Sequence, residues 1–163
     1  MLNCSHMTRG AIVNRSFGMA NRGKMDRNTP SHTRSAHAHA DAPLRILVVE
    51  DNYITQRMLH DTLQRFGHMV EIADGGSEGL QLLLRREFDV VFMDINLPDI
   101  NGLKIVQRFR EARPDSSAHI VALTVNRYPG AVGEYMSGGF DAYIPKPFLP
   151  DQVEMLLESL NQV

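Results

Sequence analysis

Five polar side chains sit where short apolar runs stop. Glu50 and Asp51 end the first run, Asp94 ends the third, Thr124 ends the fourth, and Lys146 follows the fifth. If the runs are strands of one sheet, two acids, a third acid, a hydroxyl and an ammonium share one rim. Each has a plain structural use. Asp51 or Asn52 could cap the helix that follows, Asp94 could accept turn amides, Thr124 could be a loop hydroxyl, and Lys146 a solvated charge. As a set they point to chemistry. Three crowded carboxylates repel, and their pKa values rise unless a cation holds them. Oxygen ligands of this kind suit Mg²⁺, with Mn²⁺ as a substitute, bound through carboxylates and phosphate oxygens. A carboxylate beside such a cation, a lysine and a hydroxyl can attack phosphorus and become an acyl phosphate. The cation and Lys146 would neutralise charge on the transferring oxygens.

The elements that must position these residues are legible as patterns. Leu44–Glu50, Val90–Met93 and Ile120–Leu123 are nearly unbroken apolar runs, as expected of strands buried on both faces. Met69–Ala73 alternates and Ala142–Ile144 is short, so both read as edge strands. Between them lie helical spacings: Met58, Leu59, Leu63 and Phe66; Leu80, Leu83 and Leu84; Ile105, Val106 and Phe109; Val153, Leu156, Leu157 and Leu160. The fourth helical slot, 130–138, is the weakest, because glycines interrupt its support from Ala131, Val132, Tyr135 and Met136. Five strand–helix repeats with right-handed crossovers give an α/β doubly wound (βα)5 fold, a flavodoxin-like three-layer sandwich. Edge status for the second and fifth strands gives the parallel order 2-1-3-4-5, with ligands beyond the carboxyl ends. Pro98–Gly102 reads as a turn, with Asn101-Gly102 supplying positive φ and the same loop shaping the site beside Asp94.

Composition bounds the rest. The chain has 163 residues and a formal net charge of −2. Residues 1–43 carry six basic and two acidic side chains, net +4, so 44–163 holds 11 basic and 17 acidic, net −6. One cysteine, Cys4, excludes a disulfide framework and a cysteine-based zinc site. No apolar run approaches a membrane span of roughly 18 residues, and the first residues lack a secretory apolar stretch. Residues 1–43 show neither helical nor strand periodicity and read as a disordered basic arm, a vector-derived remnant, or an upstream extension before a start such as Met19 or Met25. A transit-like or nucleic-acid-binding arm and a metal clip at His37 and His39 are weaker readings.

The spaced features ILVVEDN (46–52), VVFMDINLPDINGL (90–103), ALT (122–124) and AYIPKPF (142–148) carry a resemblance. Residues 44–163 resemble the receiver domain of two-component response regulators, including the chemotaxis type and the receivers of hybrid sensor kinases. The resemblance implies that Asp94 is the phosphoacceptor. Asp51 and Asp94 would coordinate Mg²⁺ directly with the backbone carbonyl of Asn96, and Glu50 would act through water. Lys146 would pair with the phosphoryl group, Thr124 would bond a phosphoryl oxygen and shift toward it, and Tyr143 would be the aromatic switch that turns inward. Lys146–Pro147 would be a cis peptide. Asn96 and Asn126 would stand where self-dephosphorylation is tuned. Departures are few: Glu50 where Asp is at least as common, a glycine-rich 128–139 stretch, and Leu149 before Pro150 where a Ser or Asp cap is expected.

The resemblance implies a cytoplasmic signalling domain that phosphorylates and dephosphorylates itself without turning over a separate substrate. Its partners would be a sensor histidine kinase or histidine phosphotransfer protein, docking near Met58 and Leu59 unless these are core, and a downstream protein target. Direct DNA binding is not expected of an acidic domain. The chain stops soon after the last helical pattern, so it reads as a stand-alone receiver or as a receiver fragment of a larger hybrid kinase or regulator. Two other classes compete. An aspartyl-phosphate phosphatase would want a second acid where Asn96 stands, and a binding-only degenerate receiver would not need the complete acid, hydroxyl and lysine set.

Overall fold

A computed structural model describes residues 42–126 and 130–160 of the chain. These belong to the second of the two units into which the chain divides, Asp41–Val163. The expected N-terminal arm therefore lies outside the described residues, apart from its last two. The elements run β1 (Arg45–Val49), α1 (Tyr53–Arg65), β2 (Met69–Ala73), α2 (Gly76–Arg85), β3 (Val90–Asp94), α3 (Gly102–Ala112), β4 (His119–Thr124), α4 (Ala131–Ser137), β5 (Ala142–Pro145) and α5 (Pro150–Leu160). All strand pairs are parallel, and the order is β2-β1-β3-β4-β5. This is the doubly wound, flavodoxin-like sheet that the patterns predict.

Strand periodicity divides the core into two layers. Ile46, Val48, Val90, Phe92, Val121 and Leu123 pack with Leu59 and Leu63 of α1 and Val153, Leu157 and Leu160 of α5. Their neighbours Leu47, Val49, Val91, Met93, Ile120 and Ala122 face α2, α3 and α4 through Leu83, Ile105, Val106, Phe109 and Tyr135. Helices cover both sides, which is why the central strands read as unbroken apolar runs. The helical spacings hold with two corrections, and one is Val132, which is exposed on α4 rather than supporting it. Leu84 is 44% exposed, because α2 turns its Leu80–Leu83 edge inward and the next residue falls off the buried stripe.

The helix starts are the features nearest the rim. Asn52 caps α1 by accepting from the Thr55 N–H at 3.1 Å, so Asp51 is not used as the cap. Asn101 caps α3 from Leu103 N–H at 2.9 Å. At α4 the cap is Gly130, at φ 100°, where only glycine is unstrained. Before α5 the missing Ser or Asp cap is replaced from inside the helix: Gln152 Oε1 accepts the Leu149 N–H at 2.8 Å. The start of α2 has no cap of its own. Asp99, from the loop after β3, accepts the N–H groups of Gly76 and Ser77 at 2.8 and 2.7 Å.

Gly102 corrects the sequence reading. Asn101 has φ −58°, and the described positive-φ glycines are Gly67, Gly130 and Gly139. Gly102 is needed for closeness instead: a Cβ there would lie 2.2 Å from the Asp94 carbonyl oxygen. The Asn-Gly pair thus lets α3 begin directly beneath the end of β3.

The side-chain and backbone hydrogen bonds of Ser77 and Gly76 hold the Asp99 carboxyl far below its ordinary value of 3.8. Asp99→Ala should destabilise the fold by roughly 0.5–1 kcal/mol at pH 7, the lower part of the range for a lost cap because the carboxylate is exposed. A depressed acid supplies stability above its unfolded pKa and loses it in acid. The gap to wild type should therefore narrow as pH falls below 3.8, read by urea denaturation at stepped pH.

Candidate functional site

The sheet order brings the ends of β1, β3, β4 and β5 to one rim. Glu50 is fully buried, Asp94 is 5% exposed and Asp51 is exposed, and one oxygen from each lies within 4.8 Å of the others. Lys146 reaches over the end of β4 to join them. Its Nζ is 2.8 Å from Asp94 Oδ2 and 2.5 Å from Glu50 Oε2. The other Asp94 oxygen, Oδ1, accepts the Asn96 N–H at 3.0 Å. The other Glu50 oxygen, Oε1, accepts the Asn52 N–H at 3.1 Å.

The electrostatics follow from burial. Loss of water raises the Glu50 pKa above 4.5, Lys146 pulls it back, and the Asp94 charge pushes it up again, for a net rise. Burial lowers the Lys146 pKa, but bonds to Asp94 and Glu50 outweigh it, so the ammonium is held charged more firmly than in water. The cation required by the crowded acids is thus partly supplied by the protein. Lys146 neutralises one unit of charge among three carboxylates, which leaves the cluster a good host for a divalent ion. Opposite ligands of an octahedral ion with bonds of about 2.0–2.1 Å stand roughly 4.2 Å apart, so atoms within 4.8 Å of one another need to close by only a few tenths of an ångström to share one.

Thr124 is buried at the end of β4, one residue past the Leu123 that pairs with Asp94. Its hydroxyl is 3.0 Å from the Tyr135 hydroxyl and accepts the Asn126 N–H at 3.0 Å. Tyr143, on β5 beside Ala122, is 38% exposed, so the aromatic ring that meets Thr124 here belongs to α4 and not to β5. Lys146–Pro147 is cis.

Two residues at the site escape a reading by type and spacing. Gln56 is buried, and its Nε2 donates to the Glu50 carbonyl at 2.5 Å and to Asp74 Oδ1 at 2.8 Å. A signal existed: Gln56 stands at i, i+3, i+7 with Leu59 and Leu63, a polar residue on the buried stripe. Tyr135 could be read only as apolar support, since its hydroxyl partner lies on a different element. The two residues named for docking on the first helix, unless core, lie in the core. Leu59 is fully buried and Met58 packs against the same core, whereas Tyr53 and Ile54, at the rim end of α1, are 70% and 77% exposed.

Comparison with known proteins decides the class. Residues 46–158 match the family model of the response regulator receiver domain. The chain belongs to that family. As a receiver it is a domain of two-component signalling, related to the receivers of hybrid kinases. It is 30% identical over 122 residues to hybrid signal transduction histidine kinase K of Dictyostelium discoideum, covering 71% of this chain and 10% of that protein. Among solved structures, the chemotaxis response regulator CheY4 of Vibrio cholerae superposes with a TM-score of 0.67 at 28% identity, over 73% of this chain and 99% of that one. The receiver domain of the sensor histidine kinase PA1611 of Pseudomonas aeruginosa, with a magnesium ion coordinated in its active-site cleft, gives 0.67 at 26% identity, over 75% and 100%. The chain spans between 10% and 51% of the length of the first curated relatives it matches. Among the described residues no helix is long and apolar enough to cross a membrane.

The raised Glu50 pKa has a measurable consequence for the metal-free receiver. An acid whose folded pKa is raised gives stability below its unfolded value and loses it as pH climbs through the raised value. Glu50→Gln cannot lose it. With chelator present, the variant should gain on wild type as pH rises from 4 to 7, a window that opens at the 4.5 of an ordinary glutamate. Thermal unfolding at both pH values checks this, and a constant difference would contradict it.

Proposed function

We propose that this receiver accepts a phosphoryl group on Asp94 from a phosphohistidine of a sensor histidine kinase or histidine phosphotransfer protein. The observation that carries the reading is the Asp94 carboxylate held between the Lys146 ammonium and the Asn96 N–H, with Glu50 and Asp51 beside it. An Asp94 oxygen attacks phosphorus, the P–N bond to the imidazole breaks as the P–O bond forms, and the leaving imidazole keeps the electron pair and takes up a proton. Lys146 stays with the product, its charge moving from the carboxylate toward the phosphoryl oxygens. Asp51 and Asp94, with the backbone carbonyl of Asn96, would hold Mg²⁺, and Glu50 would act through a water. When bound, the ion supplies neutralising charge at the acceptor and phosphoryl oxygens. Thr124 donates to a phosphoryl oxygen, and its shift, with Tyr143 turning inward from its exposed position, passes the change to the β4–β5 face. Exposed Tyr53 and Ile54 beside the rim offer apolar contact for the phosphodonor.

The receiver reading is favoured over an aspartyl-phosphate phosphatase because Asn96 stands where a proton-transferring acid is needed, and its N–H is engaged with Asp94. Incubation with Mg²⁺ and acetyl phosphate should give an acid-stable, base-labile adduct that Asp94→Asn abolishes. Intact-mass measurement reads it, and wild-type protein that stays unmodified at saturating donor would sink the proposal. Lys146→Met should leave two acids without their ammonium and cost up to roughly 3 kcal/mol in chelator. Mg²⁺ should restore much of that stability, while the shift of Thr124 on phosphorylation, followed by NMR, should still fail.

A further inference from the structure

Thr124 has one hydroxyl proton and two lone pairs. The Asn126 N–H fills one lone pair at 3.0 Å. The second neighbour is the Tyr135 hydroxyl, also at 3.0 Å, on a side chain only 3% exposed. Its surroundings hold the tyrosine in place. Its ring packs edge-on to Phe140, with centroids 6.1 Å apart, inside the apolar layer under α4. Among the described residues Thr124 is the partner recorded for its hydroxyl. Two buried hydroxyls that share one bond leave one proton over whichever donates; once a third group accepts the Thr124 proton, the phenol becomes the donor of the pair. With both lone pairs of Thr124 filled, its own proton must leave by the remaining tetrahedral direction, and Thr124 can act toward a third group only as a donor.

We propose that Tyr135 is a positioning residue for the reaction at Asp94: it donates to Thr124 Oγ1 and so sets the Thr124 proton as the donor for the transferred phosphoryl oxygen. This rests on the phosphoacceptor reading and adds to it a link through α4. An unconstrained threonine hydroxyl would turn its proton to whichever acceptor is nearest. Two neighbours already at hydrogen-bond distance restrict the rotor before the phosphoryl group arrives, which is the preorganisation that electrostatic catalysis depends on. The edge-on contact with Phe140 and the buried position on α4 fix the phenol in turn. Tyr135→Phe removes the hydroxyl and keeps the ring.

The test compares the full chain with Tyr135→Phe, Thr124→Val and the double variant, each given Mg²⁺ and acetyl phosphate, by the rate of adduct formation on Asp94. Tyr135→Phe should lower the maximal rate about three- to tenfold, the worth of one net hydrogen bond. The acetyl phosphate KM and the Mg²⁺ affinity should stay close to wild type. In the Thr124→Val background the same change should have no further effect, because the phenol acts through the hydroxyl already removed. A rate in Tyr135→Phe equal to wild type would overturn the proposal. So would a faster rate, which would mean the bond restrains Thr124. An undiminished loss on top of Thr124→Val would overturn it too, since the phenol would then serve packing. Wild type that forms no adduct would sink the phosphoacceptor reading itself, a result distinct from a wild type and variant that react alike.

Discussion

Burying carboxylates at the end of a sheet is costly, and the Lys146 ammonium is what makes it tolerable here. Glu50 has no solvent contact and Asp94 almost none, so neither charge is met by water. Lys146 meets both, at 2.5 and 2.8 Å. The geometry that permits this is the parallel order itself. Asp94 ends β3, Glu50 follows β1, and Lys146 follows β5, two strands away from β3, so its long side chain must cross the end of β4. Another strand order would change the lateral distance between these charges, and an antiparallel strand would send one of them to the opposite edge of the sheet. The ion contact of residues 52 positions apart is thus a fold-level constraint as well as a local one.

One ammonium against three acids is an incomplete neutralisation, and the incompleteness is useful. A fully paired cluster would be a structural ion network with no use for a ligand. A cluster with negative charge in excess attracts a divalent cation, and a cation there attracts phosphate oxygens. Burial, with the Asp94 charge adding to it, keeps the Glu50 carboxyl raised in spite of its lysine. Stability and ligand affinity are therefore set against each other at the same residues, as is common where charges are grouped for chemistry.

The rim is tied to the helices one bond at a time. Gln56 of α1 grips the Glu50 carbonyl, Tyr135 of α4 meets Thr124, and Gly102 lets α3 start against the Asp94 carbonyl. Asp99 joins the loop after Asp94 to the start of α2. A neutral hydrogen bond contributes only about 1 kcal/mol net, so none of these ties governs the fold, yet each joins the rim to a particular helix.

Local chemistry made the fold and the acid, hydroxyl and lysine set legible. Strands buried on both faces must be apolar throughout, edge strands must not, and helices between them must repeat every three to four residues; each rule acts on neighbours in the chain. The motif around Asp94 and the cis Lys146–Pro147 peptide followed from family resemblance, not from periodicity. What spacing could not reach were contacts between elements. Asn52, rather than Asp51, proved to be the α1 cap; Leu84 fell outside its buried stripe; Gly102 serves close approach rather than positive φ; and Tyr135 faces Thr124 while Tyr143 lies exposed. The sequence by itself determined which residues prefer burial, where each element starts, and that acids and a lysine end the strands. Only tertiary structure decided which side chains meet, because hydrogen bonds and ion pairs depend on ångström-scale distances between segments, and a periodic pattern carries no information about those distances.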